Sequence, residues 1–442
     1  MKTRTAFVPL FFLFLSLFLP ADPADLVNPA ASSDAFAGTD TGTDAVGDTV
    51  YTAGLPDYYG PGSPQIKYAG SAALLDYETG TLLYGHNQNQ PWAPASLTKL
   101  MTIYTALDAM EEDRFDLDVP HPVSPAAWAS AMPPGSSLMF LGPDQLVSGR
   151  DLFRGLMISS GNDAAVEVAL RVAGSVSVFA RDMNATSLRL GFRDFYFEEP
   201  AGLSGANRIT AEGFARFTGK LIARHPELLT DYASVPSFTY PEAQHYPGGK
   251  LLGGSIRQFN RNTLIQEYEG ADGLKTGFIE ESGYNVAATA KRDDRRLIVV
   301  VLGVDAASHT EGGRKRSEDA ETLLDWGFEN YRRVAFTVSE LEPIAVWGGR
   351  VRTTLPVLKK GPDMVLPLNT LSAVTRSVEV TPDIWAPADA GHAVGTVLYS
   401  VDGHVVAERP VVLAQPVEQG SLFTRLIDRI RWFFRGLVSV FQ

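Results

Sequence analysis

Ser96 stands three residues ahead of Lys99 in the stretch PASLTKLMT, residues 94–102. Three residues is close to one helical turn, so both side chains fall on one face if a helix begins here. A neutral lysine amine in that position can take the hydroxyl proton and make the serine a nucleophile. The same spacing fits an ordinary helix start, with Ser96 as N-cap and Lys99 as a surface cation, and the tetrapeptide alone does not separate the two readings. Two other stretches carry groups of the same kind. Ser160-Gly161-Asn162 follows an amphipathic run, and Lys275-Thr276-Gly277 stands just before a stretch read as a strand. The latter is no phosphate-binding loop, because Leu274 precedes the lysine and no helix follows. Arg261, between Asn260 and Asn262, is either an anion partner or a solvated surface arginine.

Positioning these groups requires a mixed fold. SAALLDYETGTLLYGHN (71–87) reads as a β-hairpin turning at Glu78-Thr79-Gly80. Leu97, Leu100, Met101, Tyr104 and Leu107 give the segment from Ser96 to Met110 one apolar helical face. Further helices are expected at 149–157, 164–172, 176–190, 211–225 and 314–331. NVAATAKRD and RRLIVVVLGVDA read as adjacent strands joined at Asp293-Asp294. The order predicts an α+β domain over 64–331, with helices on a mostly antiparallel sheet. From 332 to 415 short alternating runs broken by Gly, Pro and Asp predict a small all-β domain. The last segment, 416–442, reads as an amphipathic helix, with Leu426, Ile430, Phe433 and Phe434 on one side and Arg425, Arg429 and Arg431 on the other. That pattern fits a helix lying in a membrane interface; a helix docked on the β domain, or a dimer contact, would also use it.

Composition narrows the function. The chain has 442 residues, a formal charge of −13 and no cysteine. The charge disfavours a nucleic-acid partner, and the missing thiols exclude disulfides, thiolate catalysis and cysteine-held zinc. The histidines form no metal-binding spacing, so no metal and no cofactor is expected. No G-x-S-x-G elbow is present. The first 21 residues, with Lys2, Arg4 and an apolar run from Ala6 to Leu19, read as an export signal, and 22–63 as a flexible leader.

Ser-x-x-Lys, Ser-x-Asn and Lys-Thr-Gly in that order resemble the motif set of penicillin-recognising serine acyltransferases. PASLTKLMT, SSGNDAA, DGLKTGF and ESGYNVAATA narrow the resemblance to the low-molecular-mass penicillin-binding proteins, the serine-type D-alanyl-D-alanine carboxypeptidases. EEPAGLSGANRITA is similar to that family's segment after the helix, and GHAVGTVLYSVDGHVVAERPVVL to its C-terminal β domain. The resemblance spans about Ile66 to Gln442 and implies a β-lactamase/transpeptidase-like domain followed by a β domain and an anchor helix. It implies that Ser96 attacks the carbonyl between two terminal D-alanines of a peptidoglycan stem pentapeptide, with Lys99 as base and Ser160 as proton relay. Asn162 would hold the substrate backbone, and Lys275, Thr276 and Arg261 its carboxylate. Lys275 is expected to depress the Lys99 amine by like-charge repulsion. By the same resemblance the oxyanion hole uses the main-chain N–H of Ser96 and of Phe278, next to Gly277. β-Lactams would enter the same site, and the protein would sit outside the cytoplasm on the membrane surface. Two positions depart from the family: Phe278, where many members have histidine, and Pro200-Ala201-Gly202, where a histidine often precedes the glycine. A D,D-endopeptidase, a β-lactamase and a silent wall-binding protein are the competing readings.

Overall fold

The computed structural model describes residues 62–335, 341–360 and 363–438. The expected export signal, and nearly all of the expected leader, lie outside the described residues.

The hairpin forms as expected, from β1 (Ser71–Asp76) and β2 (Leu82–His86). A run of helices follows: α1 (Thr98–Glu111), α2 (Gly149–Arg154), α3 (Asn162–Ala173), α4 (Val176–Arg189) and α5 (Ala211–Arg224). Two small ribbons interrupt it, β3 (His121–Pro122) with β4 (Leu146–Val147), and β5 (Ser237–Tyr240) with β6 (Ile256–Phe259). After the single turn α6 (Leu264–Glu267) come β7 (Ala271–Ile279), β8 (Gly283–Arg292), β9 (Arg295–Val304) and the long helix α7 (His309–Asn330). The central sheet has five strands in the order β2-β1-β9-β8-β7, all antiparallel. The β8–β9 turn falls at Asp293-Asp294, where Arg292 faces Arg295.

Period-two alternation sends successive residues of β9 to different cores. Ile298, Val300 and Leu302 pack with α1, α3 and α5, while Leu297, Val299 and Val301 pack with α7. Both faces are covered, so the strand is apolar almost throughout. α1 departs from the single face expected of it. Residues 98–109 are all buried, threonines included, as in a helix surrounded by protein. Thr102 Oγ donates to the Pro200 carbonyl at 2.7 Å, and Asn207 donates to Thr98 Oγ at 3.1 Å. These bonds make buried polar positions tolerable.

Two expectations are corrected. α7 begins at His309, five residues before the expected 314. Ser308 caps it by accepting from the Glu311 N–H, and Gly312 is required because the Tyr284 ring lies against its Cα. Lys275-Thr276-Gly277 lies inside β7 rather than before it, because the main chain there continues its pairing with β8 through Gly277 and Asn285.

Beyond α7 the chain forms β10 (Tyr331–Val334), β11 (Ile344–Trp347), β12 (Thr353–Thr354), β13 (Pro356–Leu358), β14 (Met364–Pro367), β15 (Val374–Val380), β16 (Asp383–Trp385), β17 (Ala393–Val401), β18 (His404–Leu413) and α8 (Leu422–Val438). β10 pairs with β14, and this ribbon joins two cores. Val365 belongs to the core under α7, while its neighbours Met364 and Leu366 belong to the core of the β domain. Among the described residues no helix is long and apolar enough to cross a membrane.

Asp319 on α7 accepts the main-chain N–H groups of Lys67, Tyr68 and Ala69 at 2.8–2.9 Å, tying the entering chain to the sheet's outer layer. Asp319→Ala leaves those donors unpaired and should lower unfolding free energy by about 1.5–3 kcal/mol. Chemical denaturation measures it, and a change below about 0.5 kcal/mol would contradict the role.

Candidate active site

Ser96 sits in a tight turn, Ala95–Leu97, that leads into α1. No side chain caps the turn or the helix, so Ser96 does not act as an N-cap. Ala95, immediately before it, has φ +49°. This left-handed conformation costs a non-glycine residue about 1–2 kcal/mol, and such strain gathers at functional sites. Two glycines allow the backbone to close around the turn. A Cβ on Gly277 would lie 2.8 Å from the Pro94 carbonyl oxygen, and one on Gly202 (φ +81°) would lie 1.9 Å from that of Ala95. Strand β7 and the 199–204 loop can therefore approach the serine from both sides.

Lys99 is wholly buried. Its Nζ lies 3.0 Å from Ser96 Oγ, 2.8 Å from Asn162 Oδ1 and 2.5 Å from the Ala201 carbonyl oxygen. Burial is the main cause that lowers the amine to about 7, with Glu199 and Asp163 opposing and Arg261 assisting less strongly. Desolvation penalises the ammonium form directly and outranks the like-charge repulsion expected from Lys275. Lys275 is held well below its ordinary value by burial first and then by Lys99, Arg261 and Arg316, and the repulsion between the two amines is mutual. A neutral Lys99 has two N–H groups and one lone pair. The N–H groups fit Asn162 and Ala201, which leaves the lone pair for the Ser96 hydroxyl proton.

Ser160 ends a single wide turn, Gly155–Ser159, in the left-handed region at φ 60°. Such turns recur at functional sites. Lys275 Nζ donates to Ser160 Oγ at 2.9 Å, leaving the serine's own proton free for another acceptor. Asn162 opens α3. The fully buried Asp163 beside it accepts the N–H groups of Met139, Phe140, Leu141 and Ala164 at 2.8–3.0 Å. That carboxylate holds the 135–141 arm, whose first residues form one wall of the cleft.

The cleft measures about 1060 Å³ and is lined by Ser96, Ser160, Asn162, Arg261, Thr276, Gly277 and Phe278. Lys99 and Lys275 lie beneath them. All nine residues singled out in the sequence are therefore brought together. β7 is the sheet's edge strand, and its cleft side offers main chain to an extended peptide. Phe278 stacks on Tyr284 at 4.3 Å and meets His309 edge-on at 5.0 Å, with Tyr284 Oη 3.0 Å from His309 Nδ1. Arg261 is exposed at the mouth of the cleft.

Sequence reasoning missed Arg316 on α7. Burial lowers its guanidinium to about 10, and its head points to the carbonyls of Gly277, Asn285 and Arg261. It adds positive charge to the wall of the cleft. The only signal was the basic run Arg314-Lys315-Arg316, which reads as a solvated helix face. Glu199 was missed as well. Its carboxylate accepts the N–H groups of Ala201, Gly202, Leu203 and Ser204, and so shapes the loop that carries the Lys99 acceptor.

Residues 60–306 match the family model described as D-alanyl-D-alanine carboxypeptidase, and 337–419 match that of the penicillin-binding protein 5 C-terminal domain. The chain is 34% identical over 379 residues to D-alanyl-D-alanine carboxypeptidase DacC of Escherichia coli strain K12, covering 81% of this chain and 88% of the relative. Its fold is similar to that of penicillin binding protein 5 from Haemophilus influenzae, with TM-score 0.70 and 30% identity over 81% of this chain and all of the other. Penicillin binding protein 6B from E. coli gives TM-score 0.64 and 33% identity, covering 80% and 97% of the two chains.

If neutral Lys99 is the base, acylation of Ser96 slows as pH falls through about 7, roughly tenfold per unit below it, and levels off above it. Intact-mass kinetics of acyl-enzyme formation test this, and a rate that is flat between pH 5 and 9 would contradict it.

Proposed function

The chain belongs to the D-alanyl-D-alanine carboxypeptidase family, and on that premise we propose how its residues carry out serine-type removal of the terminal D-alanine from peptidoglycan stem pentapeptides. The observation that carries the mechanism is the fully buried Lys99 amine, 3.0 Å from Ser96 Oγ. Ser96 Oγ attacks the carbonyl carbon between the last two D-alanines while its proton passes to Lys99. The tetrahedral oxyanion is held by the main-chain N–H groups of Ser96 and Phe278. Because that second donor is main-chain, phenylalanine in place of histidine preserves it. As the C–N bond breaks, Lys99 returns a proton to the leaving amine through Ser160. Asn162 orients the peptide, and Lys275, Thr276, Arg261 and Arg316 receive the free carboxylate. Water then hydrolyses the ester on Ser96 and regenerates the hydroxyl.

Glu199 bears on the β-lactamase reading. A class A β-lactamase uses a glutamate to activate the deacylating water. Glu199, whose charge acts on the Lys99 amine, has both carboxylate oxygens engaged by main-chain N–H groups at 2.7–2.8 Å. This favours peptidase turnover over antibiotic hydrolysis. β-Lactams should still acylate Ser96, in keeping with the name of the H. influenzae relative.

The same reading divides the chain into a peptidase domain (64–331), a β domain (332–415) and an anchor segment (416–442). α8 exposes Leu422, Phe423, Leu426, Ile430, Phe433 and Phe434 to between 50 and 79%. An apolar face of that breadth next to Arg425, Arg429 and Arg431 suits the surface of an anionic bilayer. The enzyme would then be exported and peripherally attached at the outer face of the cytoplasmic membrane.

Purified protein should release D-alanine from a soluble stem pentapeptide, and Ser96→Ala should lower kcat by at least about 1,000-fold while substrate binding persists. Release by both proteins would place the chemistry elsewhere. Cleavage of a cross-linked dimer with no action on the pentapeptide would make the enzyme an endopeptidase.

A further inference from the structure

The membrane-binding reading above treats α8 as an anchor; its attachment to the β domain adds a further property. Asp428 lies on α8 between half-buried Ile427 and exposed Arg429, yet it is wholly buried. Its carboxylate accepts the Gly348 N–H at 2.9 Å and Arg352 Nη1 at 2.7 Å on both oxygens. One turn further along, Trp432 meets Trp385 edge-on at 6.1 Å, and Trp385 lies 6.3 Å from Trp347. Trp347 and Trp385 are paired residues that end the parallel strands β11 and β16. The helix therefore docks through the side that carries Asp428 and Trp432 and leaves the opposite, apolar side open.

The approach to the helix has no slack. Val417 and Ala388 exchange main-chain hydrogen bonds at 2.7 and 3.1 Å, Arg350 N–H donates to the Glu418 carbonyl at 3.0 Å, and Gly420 N–H donates to the Gly348 carbonyl at 2.9 Å. Only Ser421 separates that last bond from the first helical residue, Leu422. An amphipathic helix that simply floated on a bilayer would gain nothing from burying a carboxylate, which is costly unless it is paired in a fixed place.

We infer that α8 is a rigid strut, locked to the β domain through Asp428 and Arg352, and that it seats the enzyme on an anionic lipid surface at a fixed angle. The apolar face of α8 enters the interface, while Trp432 and Trp385 belong to the docked side and hold the helix against the β domain. The inference rests on the membrane reading of α8 given above.

The absence of cysteine makes the test clean, because two introduced thiols are the only ones to label. Nitroxides on Arg429→Cys (α8) and Ser377→Cys (β15), both exposed positions, report the helix-to-domain distance by pulsed dipolar spectroscopy. The exported chain is measured on vesicles of mixed phosphatidylglycerol and phosphatidylcholine, and partition is followed by sedimentation. One narrow distance distribution is expected on vesicles, and Asp428→Ala should broaden it at least about twofold while partition stays within about threefold, since the lipid-facing side chains are unchanged. A broad distribution before the substitution would mean that the helix leaves the domain on the membrane, and would overturn the lock. A distribution equally narrow in both proteins would overturn Asp428 as its cause. Failure of the chain without substitutions, which keeps Arg429, to sediment would instead sink the membrane reading, and the strut with it. A helix-dependent dimer in solution that ignores vesicles would assign the apolar face to a second copy and overturn the proposal as well.

Discussion

The architecture around the site answers one constraint: a lysine amine must be kept out of water without losing its hydrogen bonds. A buried ammonium is costly, whereas a buried neutral amine with matched partners is not. α1 supplies the burial, since its surroundings close over every residue from 98 to 109. Three separate segments supply the partners of Lys99: the turn holding Ser96, the start of α3 holding Asn162, and the loop holding Ala201. Each partner is itself fixed. Asp163 ties the start of α3 to the 139–141 arm, and Glu199 gathers the loop around its carboxylate. These carboxylates act on geometry first and on the amine's charge second. In the proposed mechanism they are positioning residues.

The second constraint is close approach. An edge strand can present main chain to a peptide only if it comes near the nucleophile, and β7 does so where Gly277 faces Pro94 and Ser96. Lys275 then lies under the strand, against Ser160. The result is a cleft whose floor carries two depressed amines and whose far wall carries Arg261 and Arg316. Such a site favours a ligand that ends in a carboxylate, since the anion meets fixed positive charge that water only partly screens.

Much of this was legible in the sequence, and the exceptions share a cause. The three motifs were found because their chemistry is local in sequence. The β1–β2 and β8–β9 hairpins were found because turn residues interrupt alternating or continuous apolar runs. Groups defined by tertiary contact were not found. Arg316 reads as one cation in a basic helix, Glu199 as one acid in an acidic loop, and Asp428 as part of a polar helix face. The partners of Arg316 and Asp428 lie far along the chain, and those of Glu199 are nearby main-chain N–H groups whose convergence no side-chain pattern announces. The larger cause of the Lys99 shift is hidden from the sequence for the same reason. Repulsion between two lysines can be guessed from motifs, whereas complete burial of α1 depends on helices and strands up to 200 residues away. Gly312 stands near the start of α7, where the Tyr284 ring requires it, and nothing local in sequence announces that contact.

Activation of Ser96 depends on the protonation state of one amine. Direct titration of the Lys99 Nζ by heteronuclear NMR, in protein labelled at lysine and assigned by comparison with Lys99→Arg, measures it without turnover. A midpoint near 7 is expected, because burial outweighs the carboxylates nearby. A midpoint near the ordinary lysine value of about 10.4 would mean that Lys99 is an ammonium at neutral pH, and that Ser96 is activated by some other group.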